Sequence, residues 1–312
     1  MAIRVDVDNF ARAETDRMFA GLQAQAGGIN RFHHNRVPAP VDHQPVIRMN
    51  RDTLYSMALV DLASAATLTV PDAGRRYLSV MVVNQDHYIN RVFHGAGTYP
   101  LTQEGFDTRY VVVLGRTLMD PADQADVAAA NAVQDGLALT AASADPFAMP
   151  DYDEATQTQV RDALLELGRT MTSVEHAFGR KEDVDPIRHL VGTAVGWGGL
   201  PDAEAKYANV DPGLPVGEYR IRVTDVPVDA FWSISVYNAA GFFEPNDRDA
   251  YSVNSITGVR DADGAITVHL GGDGSPNCIP IAEGWNYIVR LYRPRPEILN
   301  GTWTFPVAER IG

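Results

Sequence analysis

The sequence predicts a mainly β protein with helical segments, built as two β blocks of sandwich or barrel type around a helical insert. Three observations predict it. Short β-branched and aromatic runs recur between Gly, Pro and Asp breakers in residues 30–120 and again in 206–312. The stretch 121–205 instead carries apolar residues at helical spacing. A further short helical segment occupies 1–29.

The elements follow in order. Asp8 and Asn9 are placed to cap a first helix, on which Phe10, Ala13, Met18, Phe19 and Leu22 recur and which Gly27-Gly28 ends. Asn30 to Gln44 is polar, rich in His, Arg and Pro, and reads as a loop. Val46–Met49 and Thr53–Leu62 read as strands around an Asn-Arg-Asp turn. Thr67–Val70, Tyr77–Asn84, His87–Phe93 and Tyr110–Leu114 continue the first β block, with Pro71-Asp72-Ala73-Gly74 as a turn. Asp123–Gln134 predicts a short Ala-rich helix. Asp153–Phe178 predicts a long one, with Ala163, Leu164, Leu167, Met171, Val174 and Phe178 as its apolar stripe. Asp183 or Asp185 starts another, with Pro186 in its first turn. Tyr219–Val223, Phe231–Tyr237, Ala265–Leu270 and Trp285–Tyr292 are the strands of the second block, and Gly271-Gly272-Asp273-Gly274 is a turn.

Composition narrows the function. Against 26 Lys+Arg stand 40 Asp+Glu, a formal charge of -14, so no global positive surface exists for a phosphate backbone or an anionic membrane. No apolar run approaches membrane-spanning length. The one cysteine, Cys278, leaves no intramolecular disulfide, and the N-terminus lacks a basic-then-apolar leader pattern. The expectation is a soluble cytoplasmic protein with a small-molecule ligand and neither nucleic acid nor membrane as partner. Phosphate loops, nucleophile elbows, His-Glu-x-x-His and paired Cys motifs are missing from the sequence, and no cofactor is expected. His33, His34, His43, His87 and His94 show neither helical nor strand spacing for a metal, so none is expected.

Three polar clusters remain. In Arg48 to Ser56, alternation turns Thr53 and Tyr55 to one face, so Asp52 and Tyr55 are candidates for one pocket, with Arg48 as countercharge and Asn50 beside it. The same residues also suit a turn bonded to its own backbone. In Asn84 to Arg91, Asp86 next to His87 is a candidate acid–base pair, with Asn84 and Arg91 as binding groups. Adjacent strand residues point apart, so that pair requires a turn, and a structural polar network is the competing reading. In Phe231 to Tyr237, Trp232, Ile234 and Val236 share one face. Ser233, Ser235 and Tyr237 share the other, where small hydroxyls flanked by aromatics leave room for a ligand. Arg290, between Ile288 and Tyr292, needs a buried partner or an anion.

Several of these stretches together resemble a known pair of domains. Arg48-Met49-Asn50-Arg51-Asp52-Thr53-Leu54-Tyr55-Ser56, Val60-Asp61-Leu62 and Gly74-Arg75-Arg76-Tyr77 resemble the domain of unknown function numbered twelve fifty-four. Phe231 to Asn238, Tyr251-Ser252-Val253-Asn254-Ser255, Leu291 to Glu297 and Asn300-Gly301-Thr302-Trp303 resemble its partner, numbered twelve fourteen. The resemblance covers about residues 30 to 310. It implies two jelly-roll-like β-sandwich domains with helices between them, and a homo-oligomer. It carries no activity. The expected function is therefore a small-molecule enzyme without redox cofactor, of hydrolase, lyase or isomerase class, with Asp52, Asp86 and His87 as acid–base groups and Arg48, Asn50, Tyr55, Asn84, Arg91, Tyr237 and Arg290 as substrate-binding groups. The alternatives are a non-catalytic binding protein and an oligomeric scaffold.

Overall fold

Two units divide the chain: residues 1–36, 54–118 and 127–202 form the first, and 37–53, 119–126 and 203–312 the second. The structure is a computed structural model and describes residues 1–44, 46–272 and 276–311.

In the first unit the long β strands arise where β-branched runs meet no breaker. After helix α1 (Phe10–Ala26) come β1 (His33–His34), β2 (Thr53–Asp61), β3 (Ala66–Val70), β4 (Leu78–Asn84), β5 (Ile89–Phe93), β6 (Gly97–Leu101), the short α2 (Gln103–Phe106) and β7 (Tyr110–Leu118). Next are α3 (Gln124–Asp135), β8 (Ala138–Ala141), α4 (Glu154–Gly168) and α5 (Pro186–Gly196). The strands make an antiparallel sheet ordered β1-β2-β7-β4-β5 and a smaller one ordered β6-β3-β8. Val80, Val82 and Val113 from the large sheet pack with Ala66, Leu68 and Leu101 from the small one in one apolar core. The arrangement is a two-sheet sandwich. The helices use a separate core, in which Phe10 and Ala13 of α1 meet Leu164 of α4 and Val191 of α5.

The second unit has β9 (Ala205–Val210), β10 (Tyr219–Val223), β11 (Trp232–Tyr237), β12 (Ser252–Asn254), β13 (Ile266–Leu270), β14 (Cys278–Ile279), β15 (Asn286–Tyr292), the short α6 (Pro296–Leu299) and β16 (Glu309–Arg310). Its sheets are ordered β12-β11-β15-β9 and β14-β13-β10-β16. Among the described residues every pairing is antiparallel except β13 with β14. Trp232, Ile234, Val236, Val289 and Leu291 of one sheet pack on Tyr219, Ile221, Ile266 and Val268 of the other. The alternation read in β11 therefore sets which face is core.

The mainly β architecture with helices between the two β blocks is the one the sequence predicts. Its details differ at four places. Val46–Met49 is a turn, not a strand, because Arg48 takes a left-handed backbone at φ 56°. His87 likewise sits in a turn at φ 65°, and the strand begins only at Ile89. The long helix stops at Gly168. There it crosses α5 so closely that a Cβ would lie 2.3 Å from Val195, and Met171 reaches the helical core from outside the helix. Asn9 does not cap α1 with its side chain; its Oδ1 accepts the Asp6 N–H instead. Asp153 and Asp185 do cap their helices, each accepting two N–H groups, with Pro186 in the first turn of α5. In the Gly271-Gly272-Asp273-Gly274 turn, Asp273 and Gly274 lie outside the described residues. Among the described residues no helix is long and apolar enough to cross a membrane.

Candidate functional site

Two buried polar clusters contain the candidate site residues, one in each unit. In the second unit the outer face of the β12-β11-β15-β9 sheet carries Ser233, Ser235 and Tyr237 from β11. Register places Asn254 of β12 opposite Ser233 on one side and Arg290 of β15 opposite it on the other. The segment 37–53 supplies Arg48, Met49, Asn50 and Asp52 to the same cluster.

Asp52 is fully buried. Its backbone N–H is held by Asn50 Oδ1 at 2.8 Å, and its Oδ1 accepts from Asn254 Nδ2 at 3.3 Å. Its Oδ2 and the buried hydroxyl of Ser233 form no hydrogen bond of full geometry among the described residues, although Ser233 lies near enough to favour the ionised carboxyl. Burial raises the Asp52 pKa above its usual value; Arg290, Ser233 and Asn254 only partly oppose this. Arg290 is 4% exposed. It donates to Ser235 Oγ (2.8 Å), Tyr237 Oη (2.8 Å), the Arg48 carbonyl (2.9 Å) and the Met49 carbonyl (3.2 Å). Those acceptors fix the guanidinium, which stays charged at any ordinary pH. Tyr237 in turn donates to the Met49 carbonyl at 2.7 Å, and burial raises its pKa. Asn50 Nδ2 donates to Tyr292 Oη at 2.8 Å.

Arg48 is half-buried on the turn before Met49. Its N–H donates to the Gly241 carbonyl at 2.8 Å, and its guanidinium lies 6.0 Å from the Tyr237 ring centre. Gly241 permits this approach: at φ 87° a Cβ there would sit 3.2 Å from the Ile47 Cβ. A small cleft shares Tyr237 and is otherwise lined by Asn238, Glu244, Asn246, Tyr251 and Ile279, among others; at about 10 Å³ it is roughly water-sized.

The second cluster surrounds His87 in the first unit. His87 is fully buried, and its ring is fixed at both nitrogens. The Gly198 N–H donates to Nε2 at 2.9 Å, so the proton sits on Nδ1, which donates to Thr193 Oγ1 at 2.8 Å. The Thr193 hydroxyl passes its own proton to the His189 carbonyl at 2.9 Å. Trp197 stacks on His87 at 5.5 Å. Burial, then the neighbouring His189, pushes the His87 pKa well below the usual imidazole value. The ring is a neutral clasp between the turn 84–88, α5 and the residues after it.

Asp86 does not pair with His87. It takes a salt bridge from Arg12 at 2.6 Å, since the left-handed backbone at His87 turns the two side chains apart. Asn84 closes the turn, its Oδ1 accepting the N–H groups of Asp86 and Tyr88 and its Nδ2 donating to the Phe106 carbonyl. Tyr55 belongs to the first unit and lies beneath Arg116, 5.3 Å from ring to guanidinium, so it does not share a cluster with Asp52. Arg91 is exposed on β5. The structure thus brings together Asp52, Arg48, Asn50, Tyr237 and Arg290. It leaves Asp86, His87, Asn84, Tyr55 and Arg91 outside that group. Sequence reasoning missed Asn254 as a partner of Asp52; its only signal was the polar Tyr-Ser-Val-Asn-Ser run. It also missed the buried Asp61, whose carboxylate Arg109 grips at 2.9 and 3.1 Å. Among the described residues no three His, Cys, Asp or Glu side chains gather as a metal would require.

Comparison with known proteins agrees with this layout. Residues 29–141 match the family described as "Protein of unknown function (DUF1254)" and residues 209–296 that described as "Protein of unknown function (DUF1214)". No curated protein matches the chain. A structural-genomics crystal structure from Vibrio parahaemolyticus is similar over 99% of this chain and 100% of its own, at 18% identity and a TM-score of 0.74. An uncharacterised protein from Burkholderia cenocepacia is similar over 96% of this chain and 87% of its own, at 15% identity and a TM-score of 0.53. At these identities the likeness is one of fold.

Proposed function

We propose that this chain, which joins a DUF1254 domain to a DUF1214 domain, is an enzyme that acts on a small organic molecule by acid–base chemistry without a redox cofactor. The reaction class is hydrolase, lyase or isomerase, and Asp52 is the group that moves the proton. The observation that carries this reading is Asp52 itself. It is a wholly buried carboxyl with raised pKa, whose Oδ2 makes no hydrogen bond of full geometry among the described residues. A carboxyl lifted above its usual range is closer to the operating pH of a general acid or base, and an oxygen whose neighbour Ser233 holds it only loosely is one that substrate can engage. Arg290, fixed by its four neutral acceptors, holds positive charge beside it, and Tyr237 and Ser233 border the reacting position. Asp86 and His87, committed to Arg12 and to the Thr193–Gly198 clasp, take no part in this proposal.

The test is a substrate screen of small esters, lactones and hydroxy acids with wild type and Asp52→Asn, alongside native mass spectrometry of the purified protein. Turnover in the wild type that disappears in a folded Asp52→Asn variant supports the proposal. Turnover that persists in the variant refutes it.

One observation favours a second reading, a structural polar network. Arg290 finds its acceptors inside the protein, and the cleft beside Tyr237 is roughly water-sized. On that reading Asp52→Asn changes stability and nothing else. We read the assembly as a homo-oligomer, which the same mass spectrum counts. We read the compartment as the cytoplasm, on a single cysteine that leaves no disulfide to form within the chain; cell fractionation tests this.

A further inference from the structure

We infer that the second unit carries a subsite for one carboxylate group, centred on the guanidinium of Arg48, so that the substrate is a small organic acid. This rests on the reading of Asp52 and its neighbours as a substrate site.

The argument is one of charge and hydrogen-bond balance. Arg48 Nη1 is buried and donates to nothing among the described residues. Among those residues, the hydrogen bond Arg48 does donate is through its backbone N–H, to Gly241. The Tyr237 ring at 6.0 Å covers one side of the guanidinium. The neighbouring cation is Arg290, which gives its protons to the neutral oxygens of Ser235, Tyr237, Arg48 and Met49. The two guanidinium groups act on one another, and of the two only Arg290 is answered by the buried carboxyl of Asp52. With Asp52 ionised the cluster holds one uncompensated positive charge; with Asp52 protonated it holds two. Asp211 also acts on Arg48, but it is exposed and beyond ion-pair distance, where solvent screens it. Buried charge is ordinarily matched; burial, and after it the like charge of Arg290, shifts the Arg48 pKa down from its usual value.

One missing negative charge and a free planar donor describe a carboxylate, which an arginine fork binds edge-on. A phosphate dianion would overshoot the balance. The turn that presents Arg48 is fixed in advance by the Gly241 carbonyl, so the ligand does not have to order it.

Calorimetric titration of the full-length protein with propionate, benzoate and inorganic phosphate at constant ionic strength tests this. One carboxylate per chain is expected, bound more tightly than phosphate. Arg48→Gln is expected to weaken it by about tenfold or more, the usual worth of a hydrogen bond to a charged group. Arg48→Lys, which keeps charge but not the fork, falls between, and serves as the second variant if the glutamine variant does not fold. At a pH where Asp52 is ionised, Asp52→Asn removes its negative charge from the cluster and tightens carboxylate binding. Absence of carboxylate binding by the wild type, preference for phosphate, or equal binding by both Arg48 variants and the wild type overturns the subsite. Turnover surviving in Asp52→Asn while the Arg48 variants lose carboxylate overturns the acid–base role alone and leaves the subsite standing.

Discussion

Replacing Arg290 by methionine probes the second-unit cluster most directly. Methionine fills much of the same volume but donates no hydrogen bond. The change takes the guanidinium donors away from Ser235 Oγ, Tyr237 Oη and the Arg48 and Met49 carbonyls, leaving Met49 with the Tyr237 hydroxyl alone, and it leaves the buried Asp52 carboxyl without its cation. Removing one partner from a buried charged network costs about 3–5 kcal/mol, and the apolar stem of methionine returns part of it. We expect a net loss of about 3 kcal/mol. Urea unfolding followed by tryptophan fluorescence reads this well, since Trp232, Trp285 and Trp303 belong to the second unit and only Trp197 to the first. A double variant isolates the charge interaction. Asp52→Asn in the Arg290→Met background removes the stranded carboxyl, so the pair of changes should recover about 1 kcal/mol relative to additivity. A loss below about 1 kcal/mol in Arg290→Met, or strict additivity in the double variant, would refute the claim that these two groups answer each other's charge.

Further outcomes follow from other sites. Asp61 is held below the usual carboxylate range: burial opposes this, but Arg109, Ser143 and the N–H groups of Ala63 and Asp145 outweigh it. Its contribution to stability is present above the unfolded carboxylate pKa of about 4 and is lost as pH falls through the folded value, so Asp61→Asn should flatten the acid limb of a stability–pH curve. Asp52 has the opposite sign. Its raised pKa gives a contribution present below the unfolded value and lost as pH rises through the folded one, and Asp52→Asn should gain on the wild type over that rise, as parallel urea titrations will report. The His87 imidazole should not titrate across the neutral range by NMR. His87→Phe, losing the bonds to Thr193 and Gly198, should cost about 2–4 kcal/mol and shift the emission of the stacked Trp197. Gly241→Ala, at φ 87° and close to Ile47, should destabilise by about 1 kcal/mol and disturb the Arg48 turn, which the propionate titration would register.

What the sequence made legible was set by local rules. Alternation along β11 separated the core residues Trp232, Ile234 and Val236 from Ser233, Ser235 and Tyr237, because a pleated strand allows no other division. Asp183 or Asp185, with Pro186 in the first turn, marks a helix start, and the cap hydrogen bonds select Asp185. The rest was hidden because it depends on partners far along the chain or on single backbone angles. Nothing in Arg48 to Ser56 says that Asn254 will reach Asp52, and the alternation that offered Tyr55 as a neighbour does not extend to a residue that precedes the strand. Asp86 and His87 looked like an acid–base pair only if the chain turned there. It does turn, but with His87 in a left-handed conformation that sends the imidazole inward to Thr193 and the carboxylate outward to Arg12. The helical stripe through Met171 and Phe178 continued in the sequence past the point where the crossing with α5 ends the helix.

The path of the chain through the second unit bears on how the protein is made. Asp52, Asn50 and Arg48 are synthesised early, yet Asn254, Tyr292 and Arg290 emerge some 200 residues later. On the ribosome Asp52 and the cation that answers it, Arg290, are therefore apart for most of translation. Loop closure over such a span is entropically slow, so the carboxyl stays hydrated until the last strands arrive. A separately expressed stretch of 209–296 would lack the carboxyl of Asp52 that Asn254 and Arg290 meet in the whole chain.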